Sequence, residues 1–386
     1  VGVYLDWNAT TPPHDDVLEA MRAAAGAAWA NPSSVHTPGR RARAALEDAR
    51  ESVARLLGVD ARDVTLTSGG TEANNLALWQ PFRAALERRE RPRGALVVSR
   101  IEHPSVVRTA EALARAGVEV RWIEPRASGA VDVADVASAL EAPGEVALVS
   151  LQAVNHETGV VQPVERVAAL AHARGALVHT DAVQAAGRLE PAAWAGADLV
   201  TVAAHKMRGP KGLGALGVRA GMRVAPLLRG GAQERGARPG TLDPVGARGF
   251  AVAAERARAT PSRWAALAPL RDRLETALTR MGADRATEIV RNGSAARAPH
   301  VANLSFAGWN GAELCAALDL EGIAVSSGAA CSAGTAEPSP VITAMAGPAR
   351  AASAVRISLG EDTTQGDLDR AIEAVERVLA RRVLNT

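Results

Sequence analysis

Ala176-Leu-Val-His-Thr-Asp181 and Ala197-Asp-Leu-Val-Thr-Val-Ala-Ala204, the second followed by His205-Lys206 and the turn Gly209-Pro210, decide the reading of this chain. Each is a short apolar run of the kind that forms a buried strand. The first ends in a carboxylate and the second delivers a lysine. An acid at one strand end and a lysine at the next is what pyridoxal phosphate chemistry needs. The amine holds the cofactor as a Schiff base, and the carboxylate keeps the pyridine nitrogen protonated so that the ring can take up electrons. A surface lysine in a basic loop is the other reading of the same residues, and the rest of the chain decides between them.

Working outward, apolar runs at 64–67, 94–99, 118–122 and 146–151 alternate with helical patterns at 75–88, 105–116 and 164–174. This alternation predicts an α/β fold, with a mostly parallel sheet covered by helices on both faces. Ligands in such folds sit beyond the carboxyl ends of the strands. After an alanine-rich helix at 251–258 the pattern changes. Helices at 264–281, 311–320 and 365–382 and strands at 303–306 and 355–359 predict a smaller α+β domain completed by the N-terminal segment. The expected organisation is a large domain over 15–259 and a small one formed by 1–14 and 260–386.

A chain of 386 residues is long enough for two domains. The formal net charge of +2 and an aromatic content of 3% give no basis for a nucleic-acid or acidic-membrane partner. Cys315 and Cys331 form neither a metal-ligand spacing nor a disulfide framework, so a reducing, cytoplasmic compartment and no metal are expected. The start Val1-Gly-Val-Tyr-Leu-Asp6 has no signal-like pattern, and no apolar run is long enough to span a bilayer. Asn292-Gly-Ser294 matches a glycosylation acceptor, which has no meaning in that compartment.

Further candidates each follow a strand. Thr67-Ser-Gly-Gly-Thr-Glu-Ala-Asn-Asn75 opens a helix, and its glycines and helix N-terminus favour an anion; an ordinary turn capped by Thr71 is the alternative. Ile101-Glu-His-Pro-Ser105 places His103 where it could stack on a flat ring and move protons, or simply begin a helix. Asn155, in Asn155-His-Glu-Thr-Gly159, could bond a cofactor oxygen, and Gln184 could reach the same region. Val325-Ser-Ser-Gly-Ala-Ala-Cys-Ser-Ala-Gly-Thr335 surrounds Cys331 with small residues. That suits a nucleophile on a loop, although a small buried cysteine is the usual fate of an unpaired one. Cys315, in Glu313-Leu-Cys-Ala-Ala-Leu318, fits that second role. Arg356 alternates with apolar neighbours in Ala354-Val-Arg-Ile-Ser-Leu-Gly360, and an inward arginine needs an anion such as a substrate carboxylate.

With these residues in place, nearly the whole chain resembles the cysteine desulfurases of the NifS/IscS type, within the fold-type I pyridoxal phosphate enzymes. The likeness runs through Tyr4-Leu-Asp-Trp-Asn-Ala-Thr-Thr11, Asn31-Pro-Ser-Ser-Val-His36, the motifs above, Gly209-Pro-Lys-Gly-Leu-Gly214, Gly230-Gly-Ala-Gln-Glu-Arg235 and Arg238-Pro-Gly-Thr241. It implies a mostly parallel seven-stranded sheet in the large domain. It also implies that Lys206 bonds pyridoxal 5'-phosphate, Asp181 pairs with the pyridine nitrogen and His103 stacks on the ring. Asn155 and Gln184 would contact the phenolic oxygen or substrate, and Gly70, Thr71 and His205 would hold the phosphate. Thr241 would reach the phosphate of a partner subunit in a homodimer. Arg356 and Asn155 would hold the carboxylate of L-cysteine, and Cys331 would take its sulfur as a persulfide for an acceptor protein, leaving L-alanine.

Two departures qualify the resemblance. Where the family commonly has serine two residues before the phosphate-binding histidine, this chain has Ala203, and Thr201 or a water is the candidate to compensate. The sequence given ends at Thr386, soon after its last helix, which weakens iron–sulfur assembly as the expected pathway and leaves thionucleoside, thiocofactor or DNA sulfur modification open. A selenocysteine lyase of the same fold and an inactive scaffold for sulfur-transfer proteins are the competing functions.

Overall fold

The computed structural model describes residues 2–284, 287–328 and 338–383. Its strands are β1 (Val3–Tyr4), β2 (Val64–Thr67), β3 (Ala95–Ser99), β4 (Val120–Ile123), β5 (Val146–Ser150), β6 (Leu177–Asp181), β7 (Leu199–Ala203), β8 (Gly214–Val218), β9 (Ile289–Arg291), β10 (Val301–Phe306), β11 (Ile323–Ala324) and β12 (Ala354–Ser358). Seven of them form one sheet in the order β2-β8-β7-β6-β5-β3-β4, in which only β8 runs antiparallel to its neighbours.

The sheet is buried on both faces, which is why its strands read as continuous apolar runs rather than alternating ones. Successive side chains still point to opposite sides. Leu96 and Val98 of β3 pack with Leu76, Phe82 and Leu113 from helices Gly70–Glu87 and Pro104–Arg115. Ala95 and Val97, one step out of phase, join the opposite core with Val53, Val167 and Phe250 from helices Thr37–Leu57, Val164–His172 and Pro244–Arg258.

A separate core surrounds the antiparallel order β12-β10-β9, in which Leu304, Val355 and Ile357 pack with Leu274, Leu368 and Val375. Val3, Leu5 and Trp7 belong to this second core, so the N-terminal segment crosses to it. Ala298 and Val301, however, pack with the first core, and the two bodies share a seam there.

Helix Gly70–Glu87 begins five residues before the helix read from periodicity, because small and polar residues in its first turn hide the apolar pattern. The helix expected at 264–281 is divided into Pro261–Ala265 and Ala268–Asp284.

The end of β2 is shaped by a glycine on its neighbour. Gly214 pairs with Thr67 on one side and Ala203 on the other. A Cβ there would stand 2.6 Å from the Gly69 carbonyl carbon and 2.8 Å from the Val202 oxygen. The turn into helix Gly70–Glu87 therefore rests directly on the backbone of β8. Gly214→Ala is expected to destabilise the protein by about 1–3 kcal/mol, the usual cost of overpacking. A denaturant midpoint equal to that of the parent would refute the close approach.

Candidate active site

Parallel strands β3, β5, β6 and β7 all end at one sheet edge, and a cavity of about 350 Å³ opens there. Its wall includes Gly70, Thr71, His103, Asp181, Gln184, His205, Lys206 and Arg356. These expected residues come from five separate stretches of sequence, and the fold brings them together. Cys331 lies outside the described residues.

Asp181 is the last residue of β6 and is nearly buried. Its Oδ2 accepts from Asn74 Nδ2 at 2.7 Å and its Oδ1 from the Val183 amide at 2.9 Å. Asn74 Nδ2 also donates to Ser105 Oγ at 2.9 Å, and Ser105 Oγ stands 2.7 Å from His103 Nδ1. The bond sequence fixes the protons. Ser105 Oγ accepts from Asn74, so its own hydrogen is free for His103 Nδ1, which also accepts from the Ser105 amide at 3.1 Å. A ring nitrogen that accepts cannot carry a proton, so the neutral ring is protonated at Nε2. Burial, with Lys206 adding to it against the pull of Asp181, lowers the His103 pKa and favours that neutral form. His103 is also the N-cap of helix Pro104–Arg115, so capping sets its ring orientation.

Lys206 ends the single helical turn Ala204–Lys206 that follows β7. Its Nζ donates to the Ala9 carbonyl at 2.8 Å and to the Asn8 carbonyl. The same Asn8 oxygen accepts from Gln184 Nε2 at 3.0 Å. Buried Arg188 donates to Asn8 Oδ1, the Trp7 carbonyl and the Lys206 carbonyl. Burial, with Arg356 nearby, pulls its pKa down to about 9. His205 Nδ1 contacts Thr10 Oγ1 at 3.1 Å, and burial lowers its pKa to about 4. The N-terminal segment is thus one wall of the site.

Arg356 on β12 donates to Asp6 Oδ1 at 2.8 Å and to the His156 carbonyl at 3.0 Å, while its buried Nε has no protein partner. His156 lines the cavity edge-to-face with His103, ring centroids 5.4 Å apart, and burial holds it well below the usual histidine range.

Three expectations need correction or a different role. Asn155 does not line the cavity. Its Oδ1 accepts from the Glu157 and Thr158 amides and from the Thr158 hydroxyl, and its Nδ2 donates to the Ile101 carbonyl, so it braces the turn that carries His156. Thr201 cannot stand in for a serine at position 203, because its hydroxyl contacts His179 Nε2 at 3.2 Å while its methyl faces Gly70. Thr241 is exposed and away from this chain's own cavity. Its segment is tied down by Arg238 to Glu72 at 3.0 Å and by the buried Arg50–Glu234 pair at 2.6 Å.

Sequence reasoning passed over Asn8, Asn74, His156, Arg188 and Glu102. Glu102 is buried beside His103 and accepts from the Gln152 amide at 2.8 Å. Burial, reinforced by the Asp181 charge, pushes its carboxyl well above the usual range. Asn8, Asn74, Glu102 and His156 stood in motifs already quoted, where other residues or none had been singled out.

The cavity fits a phosphate-bearing pyridine. Its lining combines a helix N-terminus with Gly70, an Asp held by two donors and a lysine amine. At Gly70 a Cβ would come within 3.0 Å of Val183 Cγ2, so the cradle has room for backbone alone. Removing the Asn74 carboxamide should cost about 1–3 kcal/mol, because it strips a donor from a buried carboxylate and from Ser105. Chemical denaturation of Asn74→Ala measures this, and a loss below about 0.5 kcal/mol would refute the coupling.

Residues 3–371 match the aminotransferase class-V family. A cysteine desulfurase of Enterobacter agglomerans is 40% identical over 98% of this chain and 93% of its own length. One from Cereibacter sphaeroides is 42% identical over 98% and 95%. Among solved structures, a NifS-like protein superposes with a TM-score of 0.88 at 32% identity, covering 99% of this chain and all of its own. SspA in complex with cysteine does so with 0.76 at 31%, covering 94% and 99%. Cavity, sheet order and sequence likeness agree, and the chain belongs to the aminotransferase class-V family, alongside its cysteine desulfurases.

Proposed function

We propose that this protein is a pyridoxal phosphate-dependent cysteine desulfurase that converts L-cysteine to L-alanine and takes the sulfur onto Cys331. The observation that carries the reading is the joint presence of Lys206, Asp181, His103 and Arg356 in the lining of one cavity.

Pyridoxal phosphate, when bound, supplies a ring that stores the electron pair released at the substrate carbon. Gly70, Thr71 and His205 would hold its phosphate, Asp181 its ring nitrogen and His103 its face. Arg356 would bind the substrate carboxylate, for which its fixed positive charge and its place on the cavity wall suit it. Lys206 is held across the cavity by the Asn8 and Ala9 carbonyls and moves protons to and from substrate carbon. His103, with its proton on Nε2, acts toward the cavity as a donor. At Cys331 the thiolate takes the substrate sulfur as an S–S bond forms and the C–S bond breaks. The electron pair stays with carbon, which is protonated to alanine. Cys315 is unsuited to that role, since burial pushes its thiol up to about 12.

The finer reading includes a homodimer in which exposed Thr241 serves the partner's phosphate, a sulfur-acceptor protein as recipient and a cytoplasmic location. No helix among the described residues is long and apolar enough to cross a membrane.

The purified protein should be yellow, and borohydride should fix the colour on Lys206; a colourless protein that stays unmodified with added cofactor would refute the reading. After L-cysteine, peptide mapping should find the extra sulfur on Cys331, and Cys331→Ala should lose cysteine turnover. Sulfur chiefly on Cys315, or full cysteine turnover without Cys331, would overturn the assignment of the nucleophile, and preference for selenocysteine would favour a lyase. Ala203→Ser should tighten cofactor binding about ten-fold, the value of one added hydrogen bond to a charged group, as read by the cofactor dissociation constant.

A further inference from the structure

One buried acid of this site has no part in the chemistry above. Glu157 is 1% exposed and sits on the turn Asn155-His-Glu-Thr-Gly159, one residue after His156. Its Oε2 accepts from Ser339 Oγ at 2.5 Å, and Ser339 Oγ accepts from the Ile342 amide at 3.0 Å as N-cap of helix Pro340–Ala346. On the other side, a Cβ on Gly328 would lie 2.5 Å from the same Oε2 and 3.8 Å from Ser339 Cβ. Gly328, with φ of 86°, therefore packs its backbone directly onto the carboxyl. Its own entry is fixed two residues earlier, where Ser326 and Arg356 exchange backbone bonds of 3.1 and 2.6 Å. Gly328 and Ser339 flank residues 329–337, and the sequence puts Cys331 three positions after the first of them.

We propose that Glu157 is a positioning residue for the sulfur-transfer step: its carboxyl bonds Ser339 and packs against the Gly328 backbone, so that the two flanks of the Cys331-bearing segment are held against the turn that forms the cavity wall. This rests on the reading of Cys331 as the sulfur-accepting thiol. The turn itself is held firmly. The Glu157 amide donates to Asn155 Oδ1 at 3.0 Å and its carbonyl accepts from Asn303 Nδ2 at 3.1 Å. Any path between the flanks thus starts and ends at one carboxyl registered to His156 and Arg356. Fixing both ends of a short segment narrows the volume its middle can search, which raises the effective concentration of a thiol on it.

An acid is a costly choice for this place. Burial pushes Glu157 up to about 7, and among the described residues the charged or titratable groups facing it are His156, at 3.6 Å from Oε1, and Arg356. Packing alone would be satisfied by an apolar residue, whereas a side chain that packs on Gly328 and also accepts from Ser339 needs this length and polarity.

The test uses the cofactor-loaded Glu157→Ala, Glu157→Gln and Ser339→Ala proteins. Cofactor content and the L-cysteine concentration that half-saturates the absorbance change should stay within two-fold of the parent in all three. Single-turnover sulfur transfer to Cys331, followed by mass spectrometry, should slow at least ten-fold in Glu157→Ala and Ser339→Ala. Glu157→Gln keeps an oxygen acceptor for Ser339 and should retain at least half the parent rate. Amide hydrogen exchange at 326–328 and 339–346 should accelerate in the two alanine variants only. Unchanged transfer and exchange in those two would overturn the proposal, as would losses of cofactor and L-cysteine binding that parallel the loss of transfer. If the parent itself puts no sulfur on Cys331, the functional reading fails, and accelerated or unchanged flank exchange in Glu157→Ala still decides for or against the anchor.

Discussion

Parallel pairing of β6 with β7, which sets Asp181 opposite Thr201, is the constraint on which the rest of the site depends. Parallel neighbours must return by a crossover, so their carboxyl ends share one edge of the sheet. The acid at the end of β6 and the lysine in the turn after β7 therefore face one cavity, although 25 residues separate them. The same rule brings helix Pro104–Arg115, with His103 as its cap, and helix Gly70–Glu87, with its glycine turn, to that edge. No loop has to be bent into place for the four to meet.

Holding polar groups at a largely buried edge requires that each find partners. The Asp181–Asn74–Ser105–His103 sequence meets that demand and also assigns the histidine proton to Nε2. Asn8 performs a similar service for Lys206, Gln184, Arg188 and His300, whose Nε2 stands 2.9 Å from Asn8 Oδ1. Both networks join residues more than 100 positions apart. They stiffen the cavity in a geometry that a single strand–turn–helix unit could not hold.

Asp6, Trp7 and Asn8 tie the two cores to one site. Leu5 and Trp7 pack in the smaller core while the Asn8 and Ala9 carbonyls meet the lysine of the larger one. Asp6 and Arg356 pair across the same seam, and Ala298 and Val301 cross it in the opposite direction. A change in how the two cores sit would therefore be felt at Arg356, on the seam, before it reached Asp181 at the end of β6.

The sequence by itself determined the strand ends and the chemistry placed on them. Runs such as 197–204 are legible because burial on both sheet faces leaves them uniformly apolar, and a lysine or carboxylate just beyond such a run is conspicuous. It could not place Asn155, whose carboxamide could have faced cavity or turn; three donors within its own turn and its neighbourhood drew the oxygen inward. It could not exclude Thr201 as a substitute hydroxyl, because only the sheet register shows His179 beside it. Nor could it reveal Asn74, Arg188 or Glu157 as organising residues. Their partners lie across the fold, and a hydrogen bond between distant positions leaves no period, run or spacing in a single chain. Tertiary packing alone decided those bonds, since each exists only after two apolar surfaces have brought its donor and acceptor out of water together.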